Sequence, residues 1–136
     1  MTTSWDDGLL IGNSEIDYHH RQIFAYFEKL SIACMNGMDE EILKNMVKYL
    51  GEYVNQHFRM EEEFMKKHNY PNTKQQLAQH AYFRQSIEEL LAMDMKNMPK
   101  DQLLADIYRK LTNWFSLHIK QSDQQLANYI LAQQHY

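Results

Sequence analysis

Apolar residues recur along most of this 136-residue chain in alternating steps of three and four, the repeat of a helix that buries one stripe. The periodic runs are interrupted at Asn36-Gly37, Asn69-Tyr70-Pro71 and 96–99, where Gly, Pro and Asn favour turns over continued helix. The pattern predicts helices over Ser14–Met35, Asp39–Lys67, Asn72–Met93 and Pro99–Ile119, with a shorter helical coda from about Ser122. Connections this short make successive helices antiparallel neighbours. The expected fold is therefore all-α: an up-down-up-down antiparallel four-helix bundle with a short C-terminal helical extension, forming one domain over 1–136.

The stripes are not uniformly apolar. The first reads Ile16, His20, Ile23, Phe27, Leu30 and Cys34; the second Leu43, Val47, Leu50, Val54, His57, Glu61 and Phe64. The third reads Thr73, Gln76, His80, Phe83, Ile87 and Leu90; the fourth Leu104, Ile107, Leu111, Trp114 and His118. A single inward histidine is usually a core residue with a hydrogen-bond partner. Here His20 and His80 come early in their helices, while His57, Glu61 and His118 come late, so alternating helix directions bring all of them to one depth. Independent core histidines have no reason to share a layer. A metal cluster requires it, because neutral imidazoles and carboxylates must meet around one centre.

Spacing also sorts the neighbouring acids. Glu61 lies one turn after His57 and shares its face, whereas Glu62 and Glu63 rotate away and are expected to face solvent. Asp123 follows His118 by five residues, which on a regular helix turns it away from the histidine. "SDQQL" could cap a final helix, or a π-bulge or bend could bring Asp123 inward, and spacing leaves both open. His19 is about a hundred degrees off the seam, a surface or supporting position. His68 and His135 fall outside the layer and are expected to be solvated.

Charge and composition narrow the partners. A formal net charge of -4 with no Lys/Arg cluster argues against nucleic acid or an anionic membrane. The single cysteine, Cys34, excludes an intrachain disulfide and suits a reducing compartment. With no basic apolar leader and no window long enough to span a bilayer, the expected location is the cytoplasm.

Taken together, "IGNSEID" before the first histidine, "HFRMEEEFM", "YP", "HAYF" and "WFSLHIKQSD", with Trp5 near the N-terminus, resemble the hemerythrin family, in particular bacterial hemerythrin-like domains. The resemblance covers nearly the whole chain. It implies two non-haem iron ions bridged by a Glu, an Asp and an oxo or hydroxo oxygen, with O₂ as ligand. Carried over by position, His20 and His57 would hold one iron, His80 and His118 the other, and Glu61 and Asp123 would bridge them. Signalling members of the family feed a linked or separate output domain. Phe58, Trp114, Ile119 and Tyr53 adjoin these positions and are expected to line the pocket as well as pack the core.

Two departures stand out. Where the family pattern on the third helix is HxxxH, this chain has "QLAQH", with Gln76 in place of an imidazole; before the first ligand it has His19-His20 instead of Gln-His. An amide oxygen is a weak ligand for ferrous iron, so Gln76 either binds weakly, orients a water or leaves a position open. That favours sensing O₂ or redox state over storing O₂. The competing readings are a di-iron enzyme that reduces O₂, peroxide or nitric oxide, a plain O₂ carrier, and a metal-free interaction module. No positioned nucleophile supports the enzyme, and six ligand-type residues in one layer argue against the metal-free module.

Overall fold

The computed structural model describes residues 14–134 together with Gly8 and Gly12; Trp5 and His135, and Ile11 and Asn13 of "IGNSEID", lie outside the described residues. Four helical rods make the fold, and the described residues contain no strand. Helix α1 spans Ser14–Met35, α2 Glu40–Lys67 and α3 Thr73–Leu91. A 3-10 turn at Met95–Asn97 leads into α4, which runs over 100–134. Helix α1 packs against α2 and α4, and α3 packs against α2 and α4.

Two of the connections are closed by local chemistry. Gly37, at φ 71, donates to Cys34 O while Met38 donates to Ala33 O, which satisfies the last carbonyls of α1 with the left-handed residue that glycine adopts without cost. Asn69, at φ 51, ends α2 in the same way, with Asn69 donating to Lys66 O and Tyr70 to Met65 O. Such sharp exits turn the chain back on itself and align neighbouring helices antiparallel.

The stripes on α1 to α3 are buried as expected, except that Phe64 and Thr73 are half-buried and Met65 takes the place below Glu61. Helix α4 departs from its expected course. It does not stop near Ile119 and restart at Ser122: helical Lys100–Ile107, Trp114–His118 and Gln124–Gln134 are joined without a break by wider π turns at Tyr108–Asn113 and Ile119–Asp123. These turns shift the buried face. Leu103 and Phe115 are buried, while Leu104 and Trp114, expected on the stripe, are half-buried. Phe115 is fully enclosed, its ring 5.7–6.2 Å from those of Phe24, Phe27, Phe58 and Phe83. This aromatic cluster forms the apolar floor beneath the polar layer.

Candidate metal centre

Each helix delivers its polar residue to the same depth. His20 from α1, His57 and Glu61 from α2, Gln76 and His80 from α3, and His118 and Asp123 from α4 are all buried, none more than 3% exposed. Asp123 arrives through the second π turn. There Gln124 N donates to Ile119 O, five residues back, and this wider turn brings Asp123 round toward His118. The bulge, one of the two openings that spacing alone allowed, is the one adopted.

The atoms converge closely. His20 Nε2 lies 3.1 Å from His57 Nε2 and 3.1 Å from Asp123 Oδ2; His57 Nε2 lies 2.7 Å from Glu61 Oε1; His118 Nε2 lies 3.1 Å from Asp123 Oδ1. Two groups could each surround a cation: His20, His57, Glu61 and Asp123, and Glu61, His80 and His118, with ligand-type atoms within 4.8 Å of one another in each. Glu61 belongs to both. Among the described residues, both Glu61 oxygens, His80 Nε2, His118 Nε2, Asp123 Oδ2 and Gln76 Oε1 have no aligned hydrogen-bond partner. So many orphaned donor atoms in a dry interior would be costly unless something else satisfied them. The donor set, imidazole nitrogen with carboxylate oxygen, fits non-haem iron.

Electrostatics points the same way. Burial pushes His57 down to about 4 and His80 down to about 4, and it also lowers His20, so these imidazoles are held neutral as ligands require. For His118 burial acts downward, but Asp123 and Glu61 outweigh it and the imidazole is raised. Asp123 is held well below the usual carboxylate range because His118 and His20 overcome its burial. Glu61 is pushed well above that range by burial and by Asp123. A cation held by these residues would supply the charge that keeps Glu61 ionised.

The outer faces of the imidazoles are also engaged. His19, expected at a surface or supporting position, is half-buried and places Nδ1 3.2 Å from His57 Nδ1. His118 Nδ1 meets Gln79 Oε1 at 2.5 Å, and Ser122 Oγ donates to the same oxygen at 2.6 Å. Glu62 corrects an expectation: it is only half-buried but does not simply face solvent, since its Oε2 lies 2.7 Å from His80 Nδ1 and accepts from Arg84 Nη2 at 3.2 Å. Glu63 is exposed as expected. His68 is half-buried against Phe64, away from the layer. Gln79, Glu62 and Arg84 were not signalled by the inward stripes, because each reaches its histidine from the flank of a helix.

The expected pocket residues divide into two settings. Phe58 stacks on His80 at 3.8 Å and 5°, Trp114 stacks on His118 at 5.0 Å and 9°, and Ile119 is fully buried. Tyr53 instead lines a small outer cleft of about 90 Å³ with His19, Gln56 and His57. Phe115 was missed as a lining residue, yet its ring lies 5.6 Å from that of His20 and 6.0 Å from that of His118.

Comparison with known proteins gives this centre a family. A bacteriohemerythrin of Stenotrophomonas maltophilia is 26% identical over 128 residues, covering 94% of this chain and 81% of that protein. One of Campylobacter jejuni is 28% identical over 86 residues, covering 63% of this chain and 65% of that protein. A hemerythrin-like protein of Naegleria gruberi is 25% identical over 120 residues, covering 88% and 87%. No solved structure matches the chain. The model of the hemerythrin HHE cation-binding domain matches residues 12–130, and with that span covering nearly all of the helical bundle and every residue of the buried polar layer, the chain belongs to the hemerythrin family.

Proposed function

We propose that the chain is a di-iron O₂-binding domain suited to sensing O₂ or redox state more than to storing O₂. In this reading His20 and His57 hold one iron, His80 and His118 hold the other, and Glu61 and Asp123 bridge them. Support comes from Glu61, which belongs to both ligand groups, and from Asp123, whose two oxygens approach His20 and His118 separately. Two ferrous ions would supply the electrons through which O₂ is held reversibly. The protein supplies a dry surround of Phe58, Phe115, Trp114 and Ile119.

One observation carries the preference for sensing. Gln76 is buried one turn before His80, on the same face, and its Nε2 donates to Asp123 Oδ1 at 3.2 Å while its Oε1 has no partner among the described residues. The amide is thus at the layer but offers an oxygen where an imidazole would bind more tightly. The His80/His118 half would then hold its iron with one imidazole fewer than the family pattern gives it, which would leave a position open to exchange. An O₂ complex with that opening has a route to loss that a storage protein must close.

The test is anaerobic reconstitution with ferrous iron, metal analysis, and rapid mixing with O₂. Two irons per chain and an O₂ complex that forms and then decays to the ferric state within seconds to minutes support the proposal. Fewer than two irons after reconstitution would refute the ligand assignment. A complex stable for hours that releases O₂ intact would refute the preference for sensing.

A further inference from the structure

The four imidazoles differ in what holds their outer nitrogen. His20 Nδ1 has no partner among the described residues; His57 Nδ1 faces another histidine; His118 Nδ1 meets a neutral amide that Ser122 shares. Among the described residues, only His80 of the four places Nδ1 against a carboxylate, Glu62 Oε2 at 2.7 Å. Because that carboxylate accepts, the imidazole proton belongs on Nδ1, and the lone pair is left on Nε2, the buried atom without a partner. The bond has the short length of a charge-assisted contact.

Glu62 is itself held in place. Arg84 Nη2 donates to the same Oε2 at 3.2 Å, and Arg84 Nε donates to Asn55 Oδ1 at 2.7 Å, which ties the guanidinium back to α2. Arg84 also lies over the Phe58 ring at 5.6 Å, and that ring stacks on His80. His80 is therefore fixed at its outer nitrogen by Glu62 and on its face by Phe58, and Arg84 steadies both. This arrangement stands in the half of the centre where Gln76 replaces an imidazole.

We propose that Glu62, steadied by Arg84, is a positioning residue that fixes the tautomer of His80 and strengthens Nε2 as a donor, so that the His80/His118 half retains its metal with only two imidazoles. The proposal rests on the ligand assignment above. A carboxylate on the outer nitrogen raises the basicity of a ligating imidazole, and removing such a partner typically costs about 10–100-fold in metal affinity. Glu62 touches no metal position itself. Its effect passes through His80.

The experiment uses the iron-loaded full chain in wild-type form and as Glu62→Ala, Glu62→Gln, Arg84→Met and the control Glu63→Gln. Iron per chain is followed against increasing chelator, with Mössbauer spectra resolving the two irons. Nitrogen NMR of the zinc-loaded protein reports the His80 Nδ1 proton. The expected result is that Glu62→Ala releases one iron about 10–100-fold more readily and keeps the other. Glu62→Gln, which can still accept from Nδ1, should preserve the tautomer and recover part of that loss; Arg84→Met should show a smaller loss, and Glu63→Gln none. The His80 proton signal should be strongly downfield in the wild type and move upfield in Glu62→Gln as the charge is lost. If Glu62→Ala keeps both irons as the wild type does, or loses both together with a lowered Tm, the inference is overturned while the site assignment stands. Wild-type protein holding fewer than two irons overturns the assignment and the inference with it.

Discussion

Replacing Gln76 by histidine would restore the imidazole that the family pattern places there, and the structure fixes what the exchange costs and gains. Gln76 is 1% exposed and sits one turn before His80 on the same face of α3, so the new ring enters at the right depth. The cost is the amide donation to Asp123 Oδ1, a 3.2 Å bond worth about 1 kcal/mol. Asp123 retains close approaches from His20 and His118, so that loss does not leave it stranded. The gain begins with Gln76 Oε1, a buried acceptor without a partner among the described residues, whose desolvation costs about 1–3 kcal/mol. Supplying a nitrogen that does bind recovers that cost and adds a stronger ligand. Subtracting the lost bond leaves about 0–2 kcal/mol before the stronger ligand adds its own share, so Gln76→His should hold the second iron more tightly, on the order of tenfold, since about 1.4 kcal/mol is a factor of ten. The assay is chelator competition on the iron-loaded proteins, paired with stopped-flow mixing of the reduced proteins with O₂. The variant should lose iron more slowly, and its O₂ complex should decay at least several-fold more slowly, because solvent loses one route to the metal. If iron retention and decay are both unchanged, Gln76 either binds as well as an imidazole or does not face the metal, and the sensing proposal loses the observation that carries it.

The bridging role proposed for Glu61 predicts that Glu61→Ala loses both irons, whereas exposed Glu63→Ala binds two; equal metal content in the two variants would place the wrong acid in the centre. In the metal-free protein, His57 and His80 are held near 4 and His20 is also lowered, so between about pH 6.5 and 4 the unfolded chain binds more protons than the folded one. Stability should fall as pH drops through that window, by up to about 3 kcal/mol for each fully shifted imidazole. Two groups act in the opposite sense: Glu61, pushed well above the usual carboxylate range, keeps its proton in the folded chain within this window, and His118, raised, opposes only above about pH 6.5, but three lowered imidazoles outnumber them; a urea midpoint at pH 5 equal to or above that at pH 7 would contradict the burial argument. Deleting exposed Gln121 should convert the second π turn to regular helix while leaving Asp123 four residues after His118, still on its face, so metal content should persist. Inserting one Ala after Gln121 should instead turn Asp123 away and abolish bridging, and iron analysis of the two variants showing the reverse order would refute the role given to the turn.

The bundle and most of the centre were legible because α1 to α3 keep the ordinary helical repeat. On those helices the same count that finds the core also finds His20, His57, Glu61, Gln76 and His80, since the buried polar layer and the core residues project from one stripe. Glu62 shows where that count stops. One residue past Glu61 is a rotation of about a hundred degrees, which correctly turns its side chain off the buried polar layer. Periodicity on α2 does not say what lies in the new direction. What lies there is α3, with His80 and Arg84, so a residue assigned to solvent meets a histidine. Gln79 was hidden for the same reason, reaching sideways from α3 to His118 and Ser122 on α4.

Helix α4 was misread for a different reason, and its own sequence held the clue. Leu103, Ile107, Leu111, Phe115, Ile119, Asp123 and Ala127 are all buried, one every four residues. A regular α-helix advances 400° in four residues, so each step drifts about 40° and the whole series drifts roughly 240°, most of the way around the rod. A straight α-helix could not keep all seven inside. A reading that assumes the ordinary repeat must give up some of them, which is why it placed Leu104 and Trp114 on the stripe and left Asp123 undecided. The π turns at Tyr108–Asn113 and Ile119–Asp123 take up the drift by spending more residues per turn. They return Phe115 to the aromatic floor and Asp123 to His118. A run of buried-type residues at strict fours, longer than the ordinary repeat can hold on one face, is thus the mark of a wide turn, and here the second wide turn delivers the last carboxylate to the centre.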